Sequence, residues 1–328
     1  MRVFEFVPEG TSGCSVKAWI HDQNGSESVK QRIHPAVIVC PGGGYALVSD
    51  REAEPVARAY FAAGYNTYIL TYIVGKEGAK DFQPLCQLAA TIAEVRKNAD
   101  TWFTAKNQIA VCGFSAGGHL AASLGTLFNE DKFLQIYGRE DDIRPDAMIL
   151  GYPVIVADEF AHVGSITYVS GAEKGTEEYA WFGLDKHVDA QTPPTFLWHT
   201  AEDQAVPVEN SLKMCLALSA AKVPFEYHVV PKGAHGMSIC TKEVGSYSPY
   251  NARWMEWSIA WLNELYGFEM YSYSVKIKHG CEKKSFTAVI EYFFLKLLLI
   301  HLLEQFLIWH QHAFIHLISQ FILNLRRC

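Results

Sequence analysis

QIAVCGFSAGGHL, residues 108–120, decides the fold. An apolar run, QIAVC, passes directly into Gly-Phe-Ser-Ala-Gly and then into a pattern that opens a helix. Strand, tight turn and helix in that order are the setting in which a G-x-S-x-G segment becomes a nucleophile elbow. The turn holds its serine in a strained backbone conformation, and side chains at Gly113 or Gly117 would collide with the neighbouring strand and helix. Ser115 is therefore expected above a sheet, at the N-terminus of a helix whose dipole favours a developing anion.

The flanking sequence repeats the same alternation. Apolar, β-rich runs occur at 16–20, 36–40, 66–72, 108–114, 147–152, 195–200 and 225–230. Helical patterns separate them at 51–63, 83–102, 116–128, 207–221 and 251–266, and Leu85, Leu88, Ala89, Ile92, Val95 and Ala99 share one face of the second. Runs such as AVIVC (36–40) are apolar at every position, as strands covered on both sides are. The pattern predicts an α/β fold with an open, mostly parallel sheet and helices on both faces.

Three further segments complete the chemistry. PGGGY (41–45) follows the strand AVIVC, and its glycines can turn backbone N–H groups toward a ligand. With the N–H of Ala116, those of Gly43 and Gly44 are expected to form an oxyanion hole. No G-x-x-x-x-G-K-[ST] pattern supports a phosphate loop instead. A serine hydroxyl needs a base to take its proton and an acid to orient that base. The acid is expected just past TFLWHT, where AEDQAVP offers Asp203, with Glu202 as competitor. The base is expected after FEYHVVP, where His235 lies among small residues in PKGAHGMS. His119, His199 and His228 fall within or beside regular elements and read as structural. With an imidazole as base, activity should rise with pH through about 6.5–7.5. No metal-ligand spacing is visible, so neither metal nor cofactor is expected.

Net charge of −7 and the absence of a dense basic run before the C-terminus exclude a nucleic-acid footprint. Eight scattered cysteines without a C-x-x-C pair read as small buried hydrophobes in a reducing compartment. The N-terminus shows no secretory pattern, and a cytoplasmic enzyme is expected. Residues 1–270 read as one catalytic domain, within which 155–190 lacks periodicity and forms an excursion over the strand ends. Residues 271–328 differ in composition: 281–328 contain no Gly, Pro or Asp, and 22 of those 48 residues are Leu, Ile or Phe. Gln305–Leu325 has no charged residue, yet its histidines, glutamines and asparagine disfavour a membrane span. An amphipathic surface or dimer helix and a non-native extension are the other readings of the tail.

On PGGGY, SDREAEPVARAYFAAGYNTYILTY, GFSAGGHLAASL, RPDAMILGYPV, TPPTFLWHTAEDQAVPVENS and PKGAHG, residues 14–268 resemble α/β-hydrolase esterases related to acetyl xylan esterases and hormone-sensitive-lipase-like enzymes. The resemblance implies hydrolysis of a short-chain acyl ester, often acetyl, on a sugar or small alcohol, so the expected partner is a small-molecule or oligosaccharide ester. It also suggests, with the bulk of Tyr45 beside the glycine loop, a small acyl pocket. Many relatives carry histidine where this chain has Pro41, which leaves the glycine loop without that side-chain brace. A prolyl-oligopeptidase-type peptidase, a thioesterase and a non-catalytic homologue are the alternatives on the same fold.

Overall fold

Alternation within the apolar runs explains how one sheet buries both of its faces. A computed structural model describes residues 1–21 and 32–268. Among them are eight strands: β1 (Arg2–Phe6), β2 (Ser15–Ile20), β3 (His34–Cys40), β4 (Asn66–Thr71), β5 (Thr104–Phe114), β6 (Ala147–Gly151), β7 (Thr195–Thr200) and β8 (Phe225–Val230). In β3 and β5, Ala36, Ile38, Cys40, Ile109 and Val111 point to one face. There they pack with α2 (Gln83–Lys97), α3 (Ala116–Leu127) and α7 (Glu209–Ala220). Val37, Val39, Ala110, Cys112 and Phe114 point the other way, onto α1 (Glu54–Ala62) and α8 (Arg253–Tyr266). Period-two geometry thus feeds two cores from strands that are apolar throughout.

The strands lie in the order β1-β2-β4-β3-β5-β6-β7-β8. All pairings from β4 across to β8 are parallel, and β2 is antiparallel to both β1 and β4. From β3 the chain leaves to β4 on one side and returns to β5 on the other. The crevice beyond the C-terminal ends of β3 and β5 is therefore the switch point at which open α/β sheets bind ligands. This is the α/β-hydrolase fold.

Three features depart from the sequence reading. β1 precedes the first expected strand: it is an edge strand with exposed and half-buried positions alternating, held by Phe4 and Phe6 against Trp102. The second helix stops at Lys97, not near 102: Asn98 leaves helical geometry at φ −99°, ψ 11°, and its side-chain amide donates back to the Glu94 carbonyl. Between β5 and β6 a short helix, α4 (Asp131–Tyr137), interrupts a stretch without a strong pattern.

The excursion at 155–190 contains α5 (Val163–Ser170) and α6 (Glu177–Trp181). It is anchored rather than draped, since Ile155, Ile166, Tyr179 and Leu184 are buried in the first core. Among the described residues no helix is long and apolar enough to cross a membrane. The expectations for the tail fall on 271–328, outside the described residues.

Candidate active site

Ser115 occupies the turn between β5 and α3 at φ +53°, ψ −120°, a conformation that costs on the order of 1–3 kcal/mol and persists only where the surroundings over-determine it. They do so here. Its N–H donates to the Gly151 carbonyl at 3.1 Å, and its own carbonyl accepts from His119 and Val154, both at 3.0 Å. A Cβ on Gly117 would overlap the carbonyl oxygens of Cys40 and Pro41, so only glycine lets α3 press against the end of β3.

The Ser115 hydroxyl makes no helix-capping bond; its partner is His235, whose Nε2 lies 2.8 Å from Oγ. On the other side of the ring, Nδ1 lies 2.7 Å from Oδ2 of Asp203. The three residues chosen from sequence meet within hydrogen-bond reach. Asp203 is buried, which alone would raise its pKa. Hydrogen bonds from His199 and His235, the charge of His235 and the Val206 N–H outweigh burial and hold the carboxyl well below the usual range. Oδ1 accepts from the Ala205 and Val206 N–H groups, each at 2.9 Å, which fixes the carboxylate plane.

Glu202, the competing acid, is exposed and accepts from the Gly233 N–H at 2.8 Å, so it pins the loop that carries His235 without touching the ring. His199 is buried behind Asp203, with Nε2 3.0 Å from the Val206 carbonyl and 3.4 Å from Oδ2. Sequence suggested no role for it beside the acid. His228 stays on β8 with Glu226. His119 is fully buried between Tyr45 and the Phe182 carbonyl, and burial pushes its pKa down to about 4.

The glycine loop follows β3. Gly43 sits at φ +128°, where a Cβ would overlap the Leu47 carbonyl that folds over it. Among the described residues nothing accepts from the N–H groups of Gly43, Gly44 or Ala116. The brace that Pro41 cannot supply comes from other side chains. Tyr72 donates its hydroxyl to the Pro41 carbonyl at 2.6 Å, and the buried Glu52 accepts the Gly42 N–H at 2.8 Å.

Tyr45 corrects an expectation. It does not border the substrate space: it is fully buried under the loop, with its hydroxyl 2.9 Å from His119 Nδ1. An aromatic residue after glycines has a packing partner to find, and here the partner is below.

Glu52 is the residue that sequence reasoning missed. Its other oxygen accepts from the Tyr152 hydroxyl at 2.6 Å, and that hydroxyl accepts from the Ser238 N–H at 2.8 Å. One carboxylate thus ties the glycine loop to the segment carrying His235. An acid just before α1 looks like an ordinary first-turn residue, so the sequence holds no signal for this.

A cavity of about 260 Å³ opens over these groups, lined by Gly43, Gly44, Ser115, His235, Glu52 and His162 among others. Among the described residues no group of three or more His, Cys, Asp or Glu side chains is placed to hold a metal ion.

Known proteins share this arrangement of sequence and fold. The BD-FAE family model matches residues 26–218. An endo-1,4-beta-xylanase B from Butyrivibrio fibrisolvens is 35% identical over 209 residues, which is 63% of this chain and 33% of that protein. The crystal structure of an acetyl ester-xyloside bifunctional hydrolase from Caldicellulosiruptor lactoaceticus superposes with a TM-score of 0.67 at 35% identity, covering 78% of this chain and 89% of that one. The carboxylesterase Cest-2923 from Lactobacillus plantarum WCFS1 superposes with a TM-score of 0.73 at 27% identity, covering 83% and 100%. The chain spans between a third and about half the length of the curated relatives it matches.

Proposed function

The chain belongs to the BD-FAE family, and from that premise we propose that it is a serine carboxylesterase acting on short-chain acyl esters, foremost acetyl esters, of carbohydrates or small alcohols. One observation carries the reading: Ser115, His235 and Asp203 form a continuous hydrogen-bonded chain whose first two members line a cavity, beside Gly43 and Gly44, whose N–H groups have no acceptor among the described residues. The similar proteins from C. lactoaceticus and L. plantarum, named for acetyl ester and carboxylic ester hydrolysis, support the reaction class.

In this mechanism Ser115 Oγ attacks the ester carbonyl carbon while His235 Nε2 takes its proton. Asp203 holds the Nδ1–H tautomer and stabilises the imidazolium that forms. The N–H groups of Gly43, Gly44 and Ala116 receive the oxyanion, helped by the dipole of α3. His235 then protonates the departing alcohol oxygen. Water, deprotonated by the same ring, attacks the acyl-enzyme and releases the carboxylic acid and free Ser115.

The cavity falls under the roughly 300–1,000 Å³ of drug-sized sites, which supports a small acyl group now that Tyr45 no longer does. Acetyl esters should exceed octanoyl esters in kcat/KM by at least ~10-fold, since a few badly placed methylenes cost about 1–3 kcal/mol. A series of esters differing only in acyl length measures this, and an octanoyl preference would replace the reading with a lipase-like one. Labelling by a fluorophosphonate, lost in Ser115→Ala, tests the serine mechanism itself.

Glu52 gives a further expectation. Glu52→Ala leaves the Gly42 N–H and the Tyr152 hydroxyl without their acceptor, so the oxyanion donors lose their fixed position. Displacing such donors costs on the order of 10²-fold. We expect kcat/KM to fall by about that factor while Ser115 still labels slowly. Unchanged turnover would mean that Tyr72 alone holds the loop.

A further inference from the structure

The excursion between β6 and β7 brings one polar side chain, His162, to the cavity that the reaction above leaves unused. His162 caps α5: its Nδ1 accepts from the Ser165 N–H at 3.3 Å and lies 2.8 Å from the Ser165 hydroxyl. A ring nitrogen that accepts from a backbone amide carries no hydrogen, so the neutral ring bears its proton on Nε2. Burial first, and then the charge of His235, hold the ring's pKa below the ordinary imidazole value, against a smaller opposing effect of Asp203. The lowered pKa favours the neutral ring, and the bond from Ser165 places its proton on Nε2.

Nε2 has no partner among the described residues. The half-buried ring lines the same cavity as Ser115 and His235, and its Cε1 stands 3.9 Å from where a Cβ of Gly44 would be. His235 and His162 are both on the wall of that one cavity. A second donor, Arg51, lines the cavity too, with no carboxylate within 4.0 Å among the described residues and one bond to the Val244 carbonyl.

Resting on the esterase reading, we infer that His162 Nε2–H donates to an oxygen of the alcohol moiety next to the esterified one, and so selects polyhydroxylated alcohols over plain ones. The acyl side offers it nothing: an acetyl group has one carbonyl oxygen, and backbone N–H groups already wait for that. Only the alcohol brings further oxygens, and it leaves beside His235, which lines the same cavity as His162. Losing one well-placed hydrogen bond to a neutral group, with a polar atom left unpaired, discriminates on the order of 10- to 100-fold.

The test is His162→Asn in the full chain, because asparagine caps a helix as well as histidine does here but is too short to reach the cavity. Turnover is compared on matched alcohols: acetylated methyl xyloside and glycerol monoacetate against ethyl acetate. The expected result is a 10- to 100-fold loss of kcat/KM on the hydroxylated acetates, less than threefold change on ethyl acetate, and partial recovery of the former in His162→Gln, whose amide can donate from a longer stem. Equal losses on all three esters would make His162 a merely structural residue, and no loss on any would remove it from recognition. Either outcome overturns the inference. An inactive wild type on every ester would instead sink the esterase reading itself.

Discussion

Ser115→Ala should lower kcat by about five to six orders of magnitude, the loss expected when the nucleophile of a serine hydrolase is removed and only binding and oxyanion stabilisation remain. The rest of the site offers no replacement. Cys40 and Cys112 are buried on the two faces of the sheet, in the packed cores, and burial raises the pKa of each thiol. The elbow itself should survive. Its backbone is held by Gly151, Val154 and His119 through main-chain bonds, and the hydroxyl contributes no helix cap. Alanine meets the positive φ with no more strain than serine does. The melting temperature should therefore stay within a few degrees of wild type while the rate collapses. A folded Ser115→Ala protein with wild-type-like turnover would end the serine-esterase reading.

How much of this was legible beforehand depended on whether a residue's role is set by its neighbours in sequence or by those in space. Ser115 stands between a strand and a helix that are both readable, and Asp203 and His235 each follow a readable strand; the order of elements alone brings the three together. β1 escaped because an edge strand packs one side only, so a five-residue alternation carries little contrast. α5 and α6, eight and five residues long, are too short for a helical stripe to emerge, and with them went any view of His162. Glu52 and Tyr45 show the deeper limit. Glu52 becomes a hub through Tyr152, one hundred positions away, and Tyr45 turns inward because His119 is waiting on α3. No local pattern encodes either contact.

Asp203→Asn should lower kcat by about 10⁴-fold, and the direction follows from which atom must face which. The Oδ1 position accepts two backbone N–H groups, from Ala205 and Val206. The amide oxygen of asparagine has to occupy it, since an NH₂ there would meet two donors. The new NH₂ then faces His235 Nδ1, which must accept, and the neutral ring moves its proton to Nε2, 2.8 Å from Ser115 Oγ. A ring with its proton there cannot take another from the serine. The same NH₂ also confronts His199 Nε2, which bonds the Val206 carbonyl as a donor, so His199 offers no rescue. Glu202→Gln is the control: it weakens one exposed bond to Gly233 and should leave kcat within about threefold. If Glu202→Gln were the crippled variant and Asp203→Asn the active one, the acid would have been misassigned. Acid stability gives a second readout. The folded-state pKa of Asp203 is lowered, so its ionised form adds stability above an unfolded value of about 3.9 and that contribution fades as pH falls below it. Asp203→Asn has no such contribution to lose, and its unfolding midpoint in urea should drop less between pH 5 and pH 3 than that of the wild type.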